Sequence, residues 1–134
     1  MELLAEPVIV TSKGNVLHLG KEQEMSALGV TKRSCYVSTV PLLYAVSVPA
    51  LLPLADVLQN SHSFVVHWPK NDALVAQAAS VEHQRGISLG ITPAETVESP
   101  RLAECNAYME CEVLQRIPCG DHLLVIGQVR KREW

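Results

Sequence analysis

Aromatic residues are scarce in this chain: one Phe, two Trp and three Tyr among 134 residues, or 4%. A core built with so few rings must be aliphatic, and the 48% of hydrophobic residues supplies one, largely Val, Leu, Ile and Ala. An excess of positive charge is also missing. Eleven Lys and Arg face fourteen Asp and Glu, a formal net charge of −3, which argues against nucleic acid as the main partner because phosphate contacts need a basic face. The short run Arg130-Lys131-Arg132 reads as a solvated chain end. No apolar run approaches the roughly 20 residues that span a bilayer, since Val40–Leu54 is broken by Pro41, Pro49 and Pro53. The start, Met1-Glu2-Leu3-Leu4-Ala5-Glu6, is acidic and short and does not fit a secretory leader. Cys35, Cys105, Cys111 and Cys119 contain no Cys-x-x-Cys pair and match no zinc spacing. They read as reduced thiols of a cytoplasmic protein, mostly buried, with Cys105 and Cys111 on one face of a strand. His18, His62 and His83 are scattered and suggest no metal site.

What is present points to one domain over residues 1–134, large enough for a real core. Val8–Val10 reads as a strand, Ser12-Lys13-Gly14-Asn15 as a turn and Val16–Leu19 as the hairpin partner. Further strands are expected at Met25–Thr31, Leu42–Val48 and Ser63–Trp68, with Gly29 marking a bulge or a close approach by a ligand. Short helices are expected over Leu54–Asn60 and Asn71–Ser80, the second capped by Asn71 with Asp72 in its first turn. Glu82–Pro100 reads as a long ordered loop. The clearest segment is the alternation of Ala107, Met109, Cys111 and Val113 with Tyr108, Glu110, Glu112 and Leu114. A turn at Pro118-Cys119-Gly120-Asp121 follows, and then a returning strand over His122–Val129. Glu110 and Glu112 read as a solvated or partner-facing side of that strand, and Asp121 as a turn former. Many short strands with two helices predict a mainly β fold, a small antiparallel barrel with appended helices.

The segments Leu102–Val113, Gly120-Asp121-His122 and Ile126-Gly127-Gln128-Val129 resemble the flavin reductase-like, FMN-binding split-barrel family. That family carries an "E-C" strand followed by a "G-D-H…I-G-x-V" strand. Upstream, Val8–Thr11 is similar to its opening strand and Met25-Ser26-Ala27 to its "M-T-A/S" segment. Val40–Ser47 is similar to "P-P-l-v-x-V-S", and Phe64-Val65-Val66-His67 to "F-V-V-N". Arg85 and Gly90-Ile91-Thr92 fall where the family has "K-F…G-L-T".

The resemblance implies a Greek-key split β-barrel that forms a homodimer, with flavin near the subunit interface. It implies FMN as cofactor, or FAD or free flavin as substrate, and NAD(P)H as the hydride source. A redox partner protein is a further implied partner, and neither nucleic acid nor membrane is. Carried over residue by residue, Met25, Ser26, Ala27 and Leu28 would lie along the flavin ring, and Ser34, Ser47, His67 and Trp68 would lie beside the cofactor. Arg85 would be the phosphate cation, and His122 would stand on the nicotinamide side. No catalytic residue beyond the flavin itself is implied. Three departures are visible. Gln23-Glu24 replaces the family's Asn, Pro49–Leu54 holds no hydroxyl or cation where the family grips the phosphate, and His67 stands for Asn. A non-enzymatic flavin carrier, or a binding module of the same fold without tight flavin binding, are therefore the alternatives to a reductase.

Overall fold

In this computed structural model the described residues are 6–134; the reading of Met1–Ala5 lies outside them. Two long strands open the chain, β1 (Val8–His18) and β2 (Lys21–Thr31), paired without interruption from Val8↔Thr31 to His18↔Lys21. The expected turn at Ser12–Asn15 is therefore mid-strand. The reversal falls at Leu19-Gly20, where both residues take positive φ (52° and 77°), the backbone of a tight hairpin turn. Gly14 is a close-approach glycine instead. A Cβ there would lie 3.0 Å from the Val57 carbonyl oxygen and 3.1 Å from Ser61.

Next come β3 (Ser34–Thr39), β4 (Leu42–Pro49), α1 (Pro53–Asn60), β5 (Ser63–His67) and α2 (Asp72–Val81). The two-residue pair β6 (Ile91–Thr92) and β7 (Arg101–Leu102) follows, and β8 (Tyr108–Cys119) and β9 (His122–Glu133) close the chain. Seven strands form one antiparallel sheet in the order β2-β1-β5-β8-β9-β4-β3. The β2-to-β3 and β4-to-β5 connections each cross from one end of that order toward the other, a Greek-key pattern. The sheet curls until its ends meet. Thr31 Oγ1 donates to the Ser47 carbonyl (2.6 Å) and Ser47 N–H donates to the Arg33 carbonyl (2.8 Å). This seam joins β2 to β4 at one end and leaves the rest of the β2 edge without a strand partner. The result is the expected split barrel with appended helices.

One core fills the barrel: Val8, Val10, Ala27, Tyr44, Val46, Phe64, Val66, Met109, Cys111 and Val125, with Leu54, Val57 and Leu58 of α1 plugging it. Gly29 makes room for that plug, since a Cβ there would sit 3.0 Å from Leu54 and 3.1 Å from Leu52. The β1–β2 register runs through Gly29 unbroken, so it marks no bulge, and the close approach there is that of Leu52 and Leu54. A second core lies outside the barrel, where Ile9 and Leu28 meet Leu74 and Ala78 of α2, Leu102 and Cys105. Asn71 caps α2 as expected, accepting from Leu74 N–H at 2.9 Å.

Several expectations are corrected. Cys105 lies in a turn and belongs to the outer core, whereas Cys111 belongs to the barrel core, so they share no strand face. Two thiols are buried and two exposed, and all four are free. Ser34, which the resemblance sets beside the cofactor, begins strand β3 together with Cys35 and Tyr36. The basic run at 130–132 lies within β9, paired to β8, rather than in a loose end.

Candidate functional site

The β1–β2 hairpin buries Met25 and Ala27 toward the barrel core and sends Leu28 to the outer core. Ser26 shares the outer face with Leu28, and its register partner on β1 is Lys13. Among the described residues β2 is an end strand of the sheet, paired along its length only with β1. The Val30 N–H is turned to the open edge, where it donates to Glu82 Oε1 at 3.1 Å. Ser26 and Leu28 have the same parity as Val30, so their backbone N–H and C=O groups also point to that edge.

Above this face lies the segment between β6 and β7. Together they enclose a cleft of about 390 Å³ lined by Lys13, Glu24, Ser26, Ile91, Thr92, Pro93, Glu98 and Pro100. Ile91, Pro93 and Pro100 form its apolar walls, while Ser26 and Thr92 bring hydroxyls. The Lys13 ammonium is 3.3 Å from Glu24. A larger depression of about 620 Å³ lies on the other side of the same segment, beside His62, Ser63, Glu112 and Val113.

Of the residues singled out from the sequence, Ser26 lines the cleft and Met25, Ala27 and Leu28 flank it in the same strand. The others lie elsewhere. Ser34 Oγ is 2.8 Å from the Tyr44 hydroxyl, and Ser47 uses its backbone in the barrel seam. Arg85 is exposed and lines a different depression, with Val16, Leu17, Asp56, Gln59 and Asn60. His122 stands at the start of β9, its Nδ1 2.7 Å from Asp121 Oδ1, a bond that holds the Asp121 carboxyl below its usual range.

Two placements have a direct physical reason. His67 is fully buried. Its Nδ1–H donates to the Ile9 carbonyl (2.9 Å) and its Nε2 accepts from Leu102 N–H (2.9 Å). Burial lowers its pKa to about 4, so the ring is neutral and both nitrogens are engaged inside the protein. Trp68 packs its ring edge-to-face on Tyr44 (5.7 Å) and Trp134 (5.0 Å), within an aromatic row that Tyr36 extends.

Sequence reasoning missed Glu110. Strand alternation set it on a solvated face, yet it is wholly buried. Its carboxyl accepts from Glu95 N–H (3.1 Å), Thr96 N–H (2.7 Å) and the Thr96 hydroxyl (2.6 Å). Glu112, the next residue on that face, is exposed and lies 3.7 Å from Arg130. Lys13 was also missed. Only the register that sets it opposite Ser26 reveals it.

The model of the flavin reductase like domain matches residues 2–133, and the chain belongs to that family. Among curated proteins it is 30% identical over 130 residues, 91% of this chain, to a Nostoc sp. protein provisionally named diflavin flavoprotein A 1. It is 28% identical over 86 residues, 64% of this chain, to an Archaeoglobus fulgidus protein. The matches span only 20% and 41% of those relatives' own lengths. Among solved structures, the FMN-binding protein from Thermus thermophilus superposes with a TM-score of 0.78 at 20% identity, covering 96% of this chain and 70% of that one. The styrene monooxygenase flavin reductase of Pseudomonas putida gives 0.73 at 17% identity, covering 97% and 80%. At such identities the likeness establishes the fold. Among the described residues no helix is long and apolar enough to cross a membrane, and no group of His, Cys, Asp or Glu is arranged to hold a metal.

Proposed function

We propose that this chain is a flavin-binding oxidoreductase domain, cytoplasmic and homodimeric, that takes FMN or a related flavin and receives hydride from NAD(P)H. The observation that carries the reading is the β2 edge at Ser26 beside the cleft. A flavin ring needs an apolar slot and hydrogen-bonding groups along its polar edge. The Ile91, Pro93 and Pro100 walls fit the first need. The edge-facing backbone groups of Ser26, with the hydroxyls of Ser26 and Thr92, fit the second.

A bound flavin would supply the hydride-accepting chemistry. The chain's own residues bind and orient. Leu28 and Ala27, both fully buried, hold the strand rigid so that its edge presents a fixed row of donors and acceptors. Asp121 fixes His122 through Nδ1, leaving Nε2 for the nicotinamide side. In the cleft, Lys13 is the cation that would meet a phosphate, in exchange for its present partner Glu24. Exposed apolar residues on β3 and just after it, Tyr36, Val37 and Val40, support a covered edge and hence a second copy. A flavin-bearing domain of this kind would pass its electrons to a redox partner protein.

The test is an absorbance spectrum of the purified chain with and without added FMN, then with NADH. Flavin bands that bleach on NADH support the reductase. Bands that NADH leaves unchanged identify a carrier, and a chain that takes up no FMN refutes both. Lys13→Ala and Arg85→Ala, each compared for FMN against riboflavin, decide which cation serves the phosphate. The cleft geometry predicts a selective loss for Lys13→Ala.

A further inference from the structure

Glu110 accepts three hydrogen bonds from one corner of the segment between β6 and β7. The bases of that segment are anchored independently. Ala103 N–H donates to the Gly90 carbonyl (3.0 Å), and Ile91 and Thr92 pair with Leu102 and Arg101. Near the segment's end, the Thr11 hydroxyl donates to the Pro100 carbonyl (2.6 Å), and Ser99 Oγ accepts from Lys13 N–H (3.0 Å). Ser99 also meets Ser63, hydroxyl to hydroxyl, at 2.7 Å. Between these anchors the apex, Glu95-Thr96, is tied from inside by Glu110 and from outside by the Lys131–Glu95 ion pair (2.5 Å).

The same segment is the shared wall of both cavities. Glu95, Thr96, Val97 and Glu98 face the larger one, and Pro93, Glu98 and Pro100 face the Ser26 cleft. Two consecutive amides and a hydroxyl donate to this one buried carboxyl, so the acid is satisfied only while the apex stays in place. We propose that Glu110 is a positioning residue: it clamps the apex of this segment and so sets the width of the Ser26 cleft. The proposal rests on the flavin reading for its ligand, and on geometry alone for the clamp.

Glu110→Gln tests it. The amide offers one acceptor oxygen, so at least one of the Glu95 and Thr96 N–H groups faces an NH₂ and is left unpaired. Hydrogen exchange at those two amides rises about tenfold, while the β5 amides of Val65 and Val66 keep their protection. The dissociation constant for FMN rises by about the same factor, because Glu98, two residues from the clamped Thr96, lines the Ser26 cleft as well as the larger cavity. Lys131→Ala, which cuts only the exposed tie, changes both quantities less than about twofold. If Glu110→Gln does not fold, Thr96→Val removes a single donor and gives a smaller rise in both, and Thr96→Ser restores them. Unchanged exchange at Glu95 and Thr96 overturns the clamp. Loosened amides with unaltered FMN affinity overturn the positioning role. A wild-type chain that takes up no FMN refutes the flavin reading instead, and the exchange comparison then decides the clamp by itself.

Discussion

At the scale of single residues, His67 shows how a ring that looks available from the sequence becomes structural. Its two nitrogens tie β5 to β1 and to β7, and burial depresses its pKa from 6.5 to about 4. The folded state therefore refuses a proton that the unfolded chain accepts. Its contribution to stability is full above pH 6.5 and declines as the pH falls from there toward 4. That difference corresponds to roughly 3 kcal/mol. Urea unfolding between pH 7 and pH 4 should show the decline, and His67→Gln should flatten it. A wild-type profile flat across that window would mean the ring is not held neutral. Gly127 makes a second residue-scale prediction. A Cβ there would lie 2.7 Å from the Phe64 ring and 2.9 Å from Cys111 Cβ. Gly127→Ala should cost about 1–3 kcal/mol through overpacking, read as a lower urea midpoint with an unchanged m-value. The "I-G-x-V" pattern made Gly127 visible in the sequence, but its reason, the single Phe of the chain lying across the strand, was not.

At the scale of elements, what was legible followed from local signals. The Asn71-Asp72 start of α2, the alternation of β8 and the proline-bounded β4 all carry their cause within a few residues. What was not legible depends on the neighbour across space. Gly14 looked like a turn because glycine beside Asn and Lys has turn chemistry; it is mid-strand because α1 presses its backbone against that point. Glu110 looked solvated because alternation cannot show that another segment covers the face. Of the proposed site, the strand through Ser26 was readable, whereas Lys13 and the covering wall required the register and the packing. α1 makes the same point about its own end. It has no basic residue in its last turn and no side-chain N-cap. Arg116 on β8 supplies the missing partner, with Nε donating to the Leu58 carbonyl (2.6 Å) and Nη2 to the Ser61 carbonyl. Arg116→Met keeps much of the apolar stem and removes both donors. It should destabilise the chain by about 1–3 kcal/mol and raise exchange in the α1 amides first. An unaltered melting curve would show that water serves these carbonyls equally well.

For the whole molecule, the aliphatic composition finds its place in two cores on opposite faces of one hairpin, and the few aromatics gather mostly at one region of the barrel. Four of the six form the row Tyr36, Tyr44, Trp68 and Trp134, in edge-to-face steps of 5.0, 5.7 and 5.0 Å. The sheet is paired most extensively along its β1–β2 and β8–β9 hairpins and least where its ends meet. The strands β8 and β9 pair from Tyr108↔Glu133 to Cys119↔His122, but β2 and β4 are joined by the bonds around Thr31 and Ser47. Thr31 is central to that seam, because its hydroxyl donates to the Ser47 carbonyl (2.6 Å) and accepts from Arg33 N–H (3.0 Å). It is also buried, so water does not readily replace either bond. Thr31→Val keeps the shape and removes both bonds, at a cost of about 1–3 kcal/mol. Because local openings follow the least-supported contacts, the loss should be localised. Amides of Arg33 and Ser47 should exchange faster, while those of Val65, Val66 and Val125 remain protected until global unfolding. If all five accelerate together, the barrel opens only as a unit and the seam is no weaker than the rest of the sheet.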